Sequence, residues 1–82
     1  MQHQSLWKFL DDLERSPANI ADVDEIRKLV EGSSTRALQE ASNAYQCLQP
    51  QKLRSVLYVL KNDFRVSHKD IVQYLREESQ HP

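Results

Sequence analysis

The most strongly patterned segment of the sequence is residues 50–64, PQKLRSVLYVLKNDF. Its apolar residues recur at intervals of three and four, which places them on one face of an α-helix and predicts a buried stripe. Proline is tolerated in the first turn of a helix and not in its interior, so this helix is expected to begin near Pro50. The stripe consists of Leu53, Val56, Leu57, Leu60 and Phe64, and Val59 widens it.

Three helices are predicted before this segment, and the first two lie within residues 5–31. The first has a capping residue at Ser5 and a buried stripe at three- and four-residue spacing, and it ends near Arg15 ahead of a proline. Residues 16–19, SPAN, are typical of a turn. The second helix follows this turn and ends near Glu31, because Gly32 can adopt the left-handed conformation that commonly closes a helix.

Two more helices flank residues 50–64 directly. The serine pair at 33–34 can cap a third helix that continues to Leu48, with Leu48 on its apolar face and Cys47 partly buried. On the other side, Ser67 is followed three residues later by an acid, which is typical of a helix start. The fifth helix is therefore expected over about 68–78.

Composition is consistent with one small helical domain. The chain has 82 residues, of which 39% are hydrophobic and 28% charged, so it can form a thin core but not two domains. It has one glycine and no alternating apolar and polar run of strand length, which makes strands improbable. We expect residues 1–82 to form a single all-α domain, a compact bundle of about five short helices with the fourth (about 50–64) central, and frayed ends at 1–4 and 79–82.

Several kinds of function are not indicated. His3, His68 and His81 have no metal-ligand spacing, and His68 is expected to be an exposed residue of a first helical turn. No serine, histidine and aspartate set suggests nucleophilic catalysis, and Cys47 is expected to be a structural thiol. We therefore expect no enzyme activity, no catalytic residue, no metal and no cofactor.

Membrane binding and a strong general attraction to polyanions are not indicated either. No run approaches the roughly 18 apolar residues of a membrane span, and residues 1–10 lack the features of a signal peptide. We therefore expect no membrane partner and a cytoplasmic location. The formal net charge is -1, but residues 1–40 carry eight acids and five bases, whereas residues 41–82 carry six bases and four acids. This asymmetry is either ordinary surface scatter or a basis for association between the two halves.

The main candidate binding surface is a basic ridge on the fourth helix. Arg54, Tyr58, Lys61 and Arg65 share one face at about 100° per residue, directed away from the centre of the apolar stripe. Such a ridge is either an ordinary solvated face or a site for an anionic partner, with the tyrosine ring as a packing surface. Trp7 lies beside the stripe of the first helix, so it either widens the core or forms a contact surface.

Two functional hypotheses follow. The first is a small interaction or regulatory module that binds a protein partner and could also self-associate into a homo-oligomer through its acidic first half and basic second half. The second is a nucleic-acid-binding regulator that uses the basic ridge, because residues 50–78 form a hairpin similar in outline to a helix-turn-helix. In both cases the partner-binding residues are Arg54, Tyr58, Lys61, Arg65 and Trp7.

Overall fold

A computed structural model describes residues 5–80, which form five α-helices and contain no strand. The helices are α1 (Leu6–Glu14), α2 (Ile20–Val30), α3 (Ser34–Gln46), α4 (Pro50–Asn62) and α5 (His68–Ser79). The predicted all-α bundle is confirmed. Within the described residues, no helix is long and apolar enough to cross a membrane.

Side-chain caps determine where most of the helices begin. In each capped helix, a side-chain oxygen accepts a hydrogen bond from the backbone N–H three residues later, which satisfies a donor that the first turn leaves unpaired. The capping residues are Ser5, Asn19, Ser33 and Ser67. α4 has no side-chain cap and begins instead at Pro50, whose missing N–H needs no partner. The predicted starts at Ser5, Pro50 and Ser67 are confirmed.

Three helices are followed, within three residues, by a residue other than glycine with a positive φ angle. Glu31 has φ 50° after α2, Leu48 has φ 55° after α3, and Arg65 has φ 59° after α4. Gly32 also has a positive φ of 73°, as predicted, so α2 closes through two left-handed residues. This conformation costs an L-amino acid roughly 1 to 2 kcal/mol. α4 ends at Asn62, two residues earlier than predicted, and α5 includes Ser79, part of the segment predicted to fray.

α4 is the centre of the core, as predicted. It packs against α1, α2 and α3, while α5 packs against α3 and α1. Its fully buried residues are Leu53, Ser55, Val56, Leu57, Val59 and Leu60. α3 contributes the small residues Ala37, Ala41 and Ala44, which allow its backbone to approach α4 closely. The predicted fraying of 1–4 and of 81–82 concerns residues outside the described range.

Candidate functional site

The predicted exposure of the basic ridge is wrong for Arg54 and Lys61, which are half-buried. α1 packs against the same side of α4. Arg54 is half-buried and its Nε donates a hydrogen bond to the carbonyl oxygen of Ser16, 2.6 Å away. Lys61 is also half-buried and its Nζ lies 2.7 Å from Glu14 Oε1. Both cations are therefore engaged with acceptors at the end of α1 and in the turn that follows it.

Arg65 is exposed, as predicted, but it does not belong to the ridge. α4 ends at Asn62, and Arg65 occupies the left-handed position in the connection to α5. The backbone N–H of Val66 donates to the carbonyl oxygen of Leu60, which closes this turn at 2.9 Å. A residue beyond the end of a helix does not follow its 100° periodicity, so Arg65 is not aligned with Arg54 by helical geometry.

Tyr58 is half-buried beneath a cation from another helix. The guanidinium carbon of Arg27 on α2 lies 5.9 Å from the centre of the Tyr58 ring, within the range of a cation–π contact. The same guanidinium forms a bidentate ion pair with Asp63, with Nε and Nη2 at 2.8 and 3.0 Å from the two carboxylate oxygens. The hydrogen bonds from Arg27 lower the pKa of Asp63 below the ordinary value for an aspartate.

This ion pair predicts a specific pH dependence. Because the folded state lowers the pKa of Asp63, the pair stabilises the protein above the unfolded pKa of about 3.9, and this contribution is lost as the pH falls through the folded value. Asp63→Asn should therefore lower the melting temperature slightly at neutral pH and have no effect once the carboxyl is protonated in both states. The effect is small because both side chains are partly exposed.

Thermal melts at several pH values check this prediction. Asp24→Asn is the matched control, because Asp24 forms a single 3.3 Å contact with the same guanidinium. A difference between Asp63→Asn and the parent protein that stays the same from neutral to acid pH would contradict the assignment.

Glu14 and His68 join three helices, although neither was predicted as a site residue. Glu14 Oε1 pairs with Lys61 on α4, and Glu14 Oε2 lies 3.1 Å from Nδ1 of His68 on α5. Only 17% of the Glu14 side chain and 14% of the His68 side chain are exposed. The prediction that His68 is an exposed first-turn residue is therefore wrong, because the end of α1 covers it.

His68 also holds Trp7 in place. His68 Nε2 lies 3.2 Å from the carbonyl oxygen of Trp7, and the two rings meet edge-on with centroids 4.3 Å apart. Trp7 nevertheless remains 46% exposed. Beside it lies a cleft of about 330 Å³ along one side of α5, which we call the α5 cleft. Its lining residues are Trp7, Lys69, Val72, Gln73, Arg76, Glu77 and Gln80.

A second cleft is apolar and lies where α3 is joined to α4. It has a volume of about 340 Å³, and none of residues 5–80 that line it is charged. We call it the Leu48 cleft, and its lining residues are Phe9, Ala44, Tyr45, Leu48, Gln49, Pro50 and Leu53. Phe9 comes from α1, and its ring centre lies 6.1 Å from that of Tyr45. Three helices therefore contribute apolar surface to this opening.

Leu48 protrudes at the edge of this cleft, which contradicts its predicted place on the apolar face of the third helix. Its backbone is left-handed and the residue is 86% exposed. The N–H of Gln49 donates to the carbonyl of Ala44 at 2.9 Å, so the chain reverses in a Schellman-type turn. Because α3 ends at Gln46, the preceding Cys47 is exposed too, not partly buried as predicted.

A third opening, of about 380 Å³, lies between the α1–α2 turn and the beginning of α4. Among its lining residues, Arg54 is engaged with Ser16, and the Ser55 hydroxyl donates to the carbonyl oxygen of Gln51 at 3.2 Å. In the described part of the chain, no histidine lines the opening to act as a base for this serine. Within residues 5–80, no three His, Cys, Asp or Glu side chains are grouped to hold a metal ion, and His3 and His81 lie outside this range.

Comparisons with protein families, curated proteins and solved structures found no match to this chain.

Proposed function

We propose that this protein is a non-enzymatic interaction module that binds a second copy of itself through the Leu48 cleft. The observation that carries the proposal is the state of Leu48, which is 86% exposed and has a φ of 55°. The exposed side chain forgoes roughly 1.5 to 3 kcal/mol of burial energy. The left-handed backbone adds strain at this exposed position. Burial against another protein would recover the burial energy.

The shape of the surface favours a second copy as the partner. A symmetric dimer needs one patch that is complementary to itself. Here a protruding leucine lies next to an apolar opening, so each copy can insert Leu48 into the cleft of the other. Phe9 and Tyr45 add aromatic surface, which is typical of the centre of protein interfaces.

The charge distribution around the cleft is compatible with this pairing. Two identical surfaces that face each other bring like charges together, and such contacts are unfavourable. Among the described residues, those that line the Leu48 cleft carry no charged side chain. A symmetric contact centred on this cleft therefore avoids direct repulsion.

Association through the acidic and basic halves of the chain has less support than association through the Leu48 cleft. Three ion pairs already connect residues 1–40 with residues 41–82 inside one molecule. They are Glu14 with Lys61, Glu40 with Lys52, and Arg27 with Asp63. Charges that are neutralised within a chain exert little attraction on another copy.

The nucleic-acid alternative also loses support, because Arg54 and Lys61 are engaged within the chain and Arg65 lies outside α4. It remains an outcome of the tests below. The cytoplasmic location expected from the sequence belongs to the same proposal, and cell fractionation with an antibody against the chain tests it.

Leu48→Gly tests the proposal directly, with Arg65→Gly as the matched control. Both substitutions replace a left-handed residue by glycine at the end of a helix, and only Leu48 lines the cleft. Each should stabilise the monomer by about 0.5 to 1 kcal/mol. Glycine relieves the strain of the left-handed conformation, and part of this gain is offset because glycine loses more conformational freedom on folding. Only Leu48→Gly should abolish the dimer.

Sedimentation velocity over a concentration series measures the association, and thermal melts of dilute samples measure monomer stability. The parent protein and Arg65→Gly should show a concentration-dependent dimer, and Leu48→Gly should remain monomeric. The proposal is wrong if the parent protein is monomeric up to about 1 mM, which corresponds to a binding free energy weaker than about 4 kcal/mol. It is also wrong if Leu48→Gly dimerises as the parent protein does.

A further inference from the structure

We infer that the α5 cleft is a second docking surface, which binds an acidic amphipathic helix of a protein partner between Trp7 and the cations Lys69 and Arg76. This surface is separate from the Leu48 cleft, because the two openings share no lining residue.

The first support is the charge on this face of α5. Lys69 and Arg76 are seven residues apart, so they lie on the same side of the helix, about 10 Å apart along its axis. Neither forms an ion pair with any residue in the described part of the chain, 5–80. Most other cations do form such pairs, namely Lys8, Arg15, Arg27, Arg36, Lys52 and Lys61. The α5 cleft thus has two positive charges available for an external carboxylate.

The second support is that Trp7 is both exposed and held in position. Its carbonyl oxygen and its ring contact His68, the first residue of α5, which is itself fixed by Glu14. An aromatic side chain that is ordered before binding loses little freedom when a partner covers it. Tryptophan and arginine are also the residues that most often dominate the binding energy of protein interfaces. Both are present in the α5 cleft.

The geometry of the cleft matches a helix. Two carboxylates seven residues apart on a partner helix are about 10 Å apart, which is the axial spacing of Lys69 and Arg76. A partner helix that lies along α5 can therefore place one carboxylate at each cation. Apolar side chains between these carboxylates would face Trp7 and the edge of Val72. An amphipathic helix presents charged and apolar groups at this spacing.

Glu77 favours a protein partner over nucleic acid. This carboxylate lines the cleft just beyond Arg76, towards the end of α5. It accepts a hydrogen bond of 3.4 Å from Gln73. A continuous row of phosphates could not avoid it, and the repulsion would oppose binding. A helical peptide can place a neutral or basic side chain opposite Glu77 while its acids contact Lys69 and Arg76.

The probe is a synthetic helical peptide of about 20 residues, without tryptophan, that carries leucines on one face and glutamates at two positions seven apart. The matched peptide has glutamine at these two positions. Trp7 is the only tryptophan of the protein, so its fluorescence reports occupation of the cleft directly. Both peptides are titrated into the parent protein and into the double variant Lys69→Gln, Arg76→Gln. Lys28→Gln is the control, because Lys28 is an exposed cation on α2 outside this cleft.

We expect the glutamate peptide to shift the Trp7 emission in a saturable manner, and the double variant to bind it at least tenfold more weakly. Lys28→Gln should bind as the parent protein does. No saturable shift, an equal response to the glutamine peptide, or unchanged binding by the double variant would overturn the inference. It would also be overturned if a DNA duplex bound at the same cations more tightly than the peptide. The titration is repeated with Leu48→Gly, which should remain monomeric. Binding of the glutamate peptide by this variant distinguishes a failure of self-association from a failure of the α5 cleft.

Discussion

Leu57→Ala and Leu60→Ala should each destabilise the protein by about 2 to 5 kcal/mol. Both side chains are fully buried on α4, which packs against three other helices. Truncation removes apolar contacts and leaves a cavity that a rigid, densely packed interior fills only in part. A domain of this size has a total stability of roughly 5 to 15 kcal/mol, so either variant could be largely unfolded at physiological temperature.

Urea unfolding followed by circular dichroism measures this effect. Leu29→Ala is the matched control, because it makes the same chemical change at a half-exposed position on α2. Its midpoint should shift much less, since little apolar surface is lost from the core. Equal shifts for Leu29→Ala and for the two α4 variants would mean that α4 is not the centre of the core.

Glu14→Ala should produce the second large loss of stability, about 1 to 3 kcal/mol. The carboxylate connects α1 to Lys61 on α4 and to His68 on α5, and its removal takes away the partner of Lys61 Nζ and of His68 Nδ1. The upper end of this range applies to fully buried groups, and Lys61 is still partly accessible to water. We therefore expect a value near the middle of the range.

Two further variants make this prediction specific. Asp11→Ala removes an exposed acid from the same helix, whose one ion pair within residues 5–80 is with Arg15 at 3.6 Å, and it should have almost no effect. Glu14→Gln keeps one acceptor oxygen and should lie between the parent protein and Glu14→Ala. If Glu14→Ala melts like Asp11→Ala, the connection between the three helices does not contribute to stability.

The features of this fold that sequence reasoning could predict are those determined by a few consecutive residues. A cap such as Ser67 acts on the backbone N–H three residues later, and Pro50 acts within the first turn of its own helix. The apolar spacing of residues 53–60 likewise needs no information from elsewhere. These local signals specified the five helices and the central position of α4.

The features that sequence reasoning missed depend on neighbours distant in the chain or on the path of the backbone. Lys61 and Arg54 were expected to be exposed because α4 was considered alone, but α1 covers that side. Glu14 and His68 are 54 residues apart, and no helical periodicity brings them together. Leu48 continues the spacing of α3 in the sequence, whereas the reversal of the chain after Gln46 turns it outward.

The ends of α3 and α4 show why sequence alone placed both too late. Glycine is the usual signal for a left-handed residue after a helix, and neither end has one. Leu48 and Arg65 occupy these positions despite the strain, so the usual signal for a helix end was missing. The Leu48 cleft was missed for the same reason, because it exists only where the chain turns.

The packing of α1 against both α4 and α5 has a consequence for how the two clefts behave together. α1 has one fully buried residue, Leu10, besides its partly buried residues and the contacts of Glu14, whereas α4 has six fully buried residues, so α1 should detach before α4 does. Phe9 of α1 lines the Leu48 cleft and Trp7 of α1 lines the α5 cleft, so detachment would dismantle both at once. A ligand in either cleft would favour the attached state and thereby strengthen binding in the other, by the same factor in both directions. The two surfaces would then act as reciprocal allosteric sites, with α1 as the element that both ligands bias.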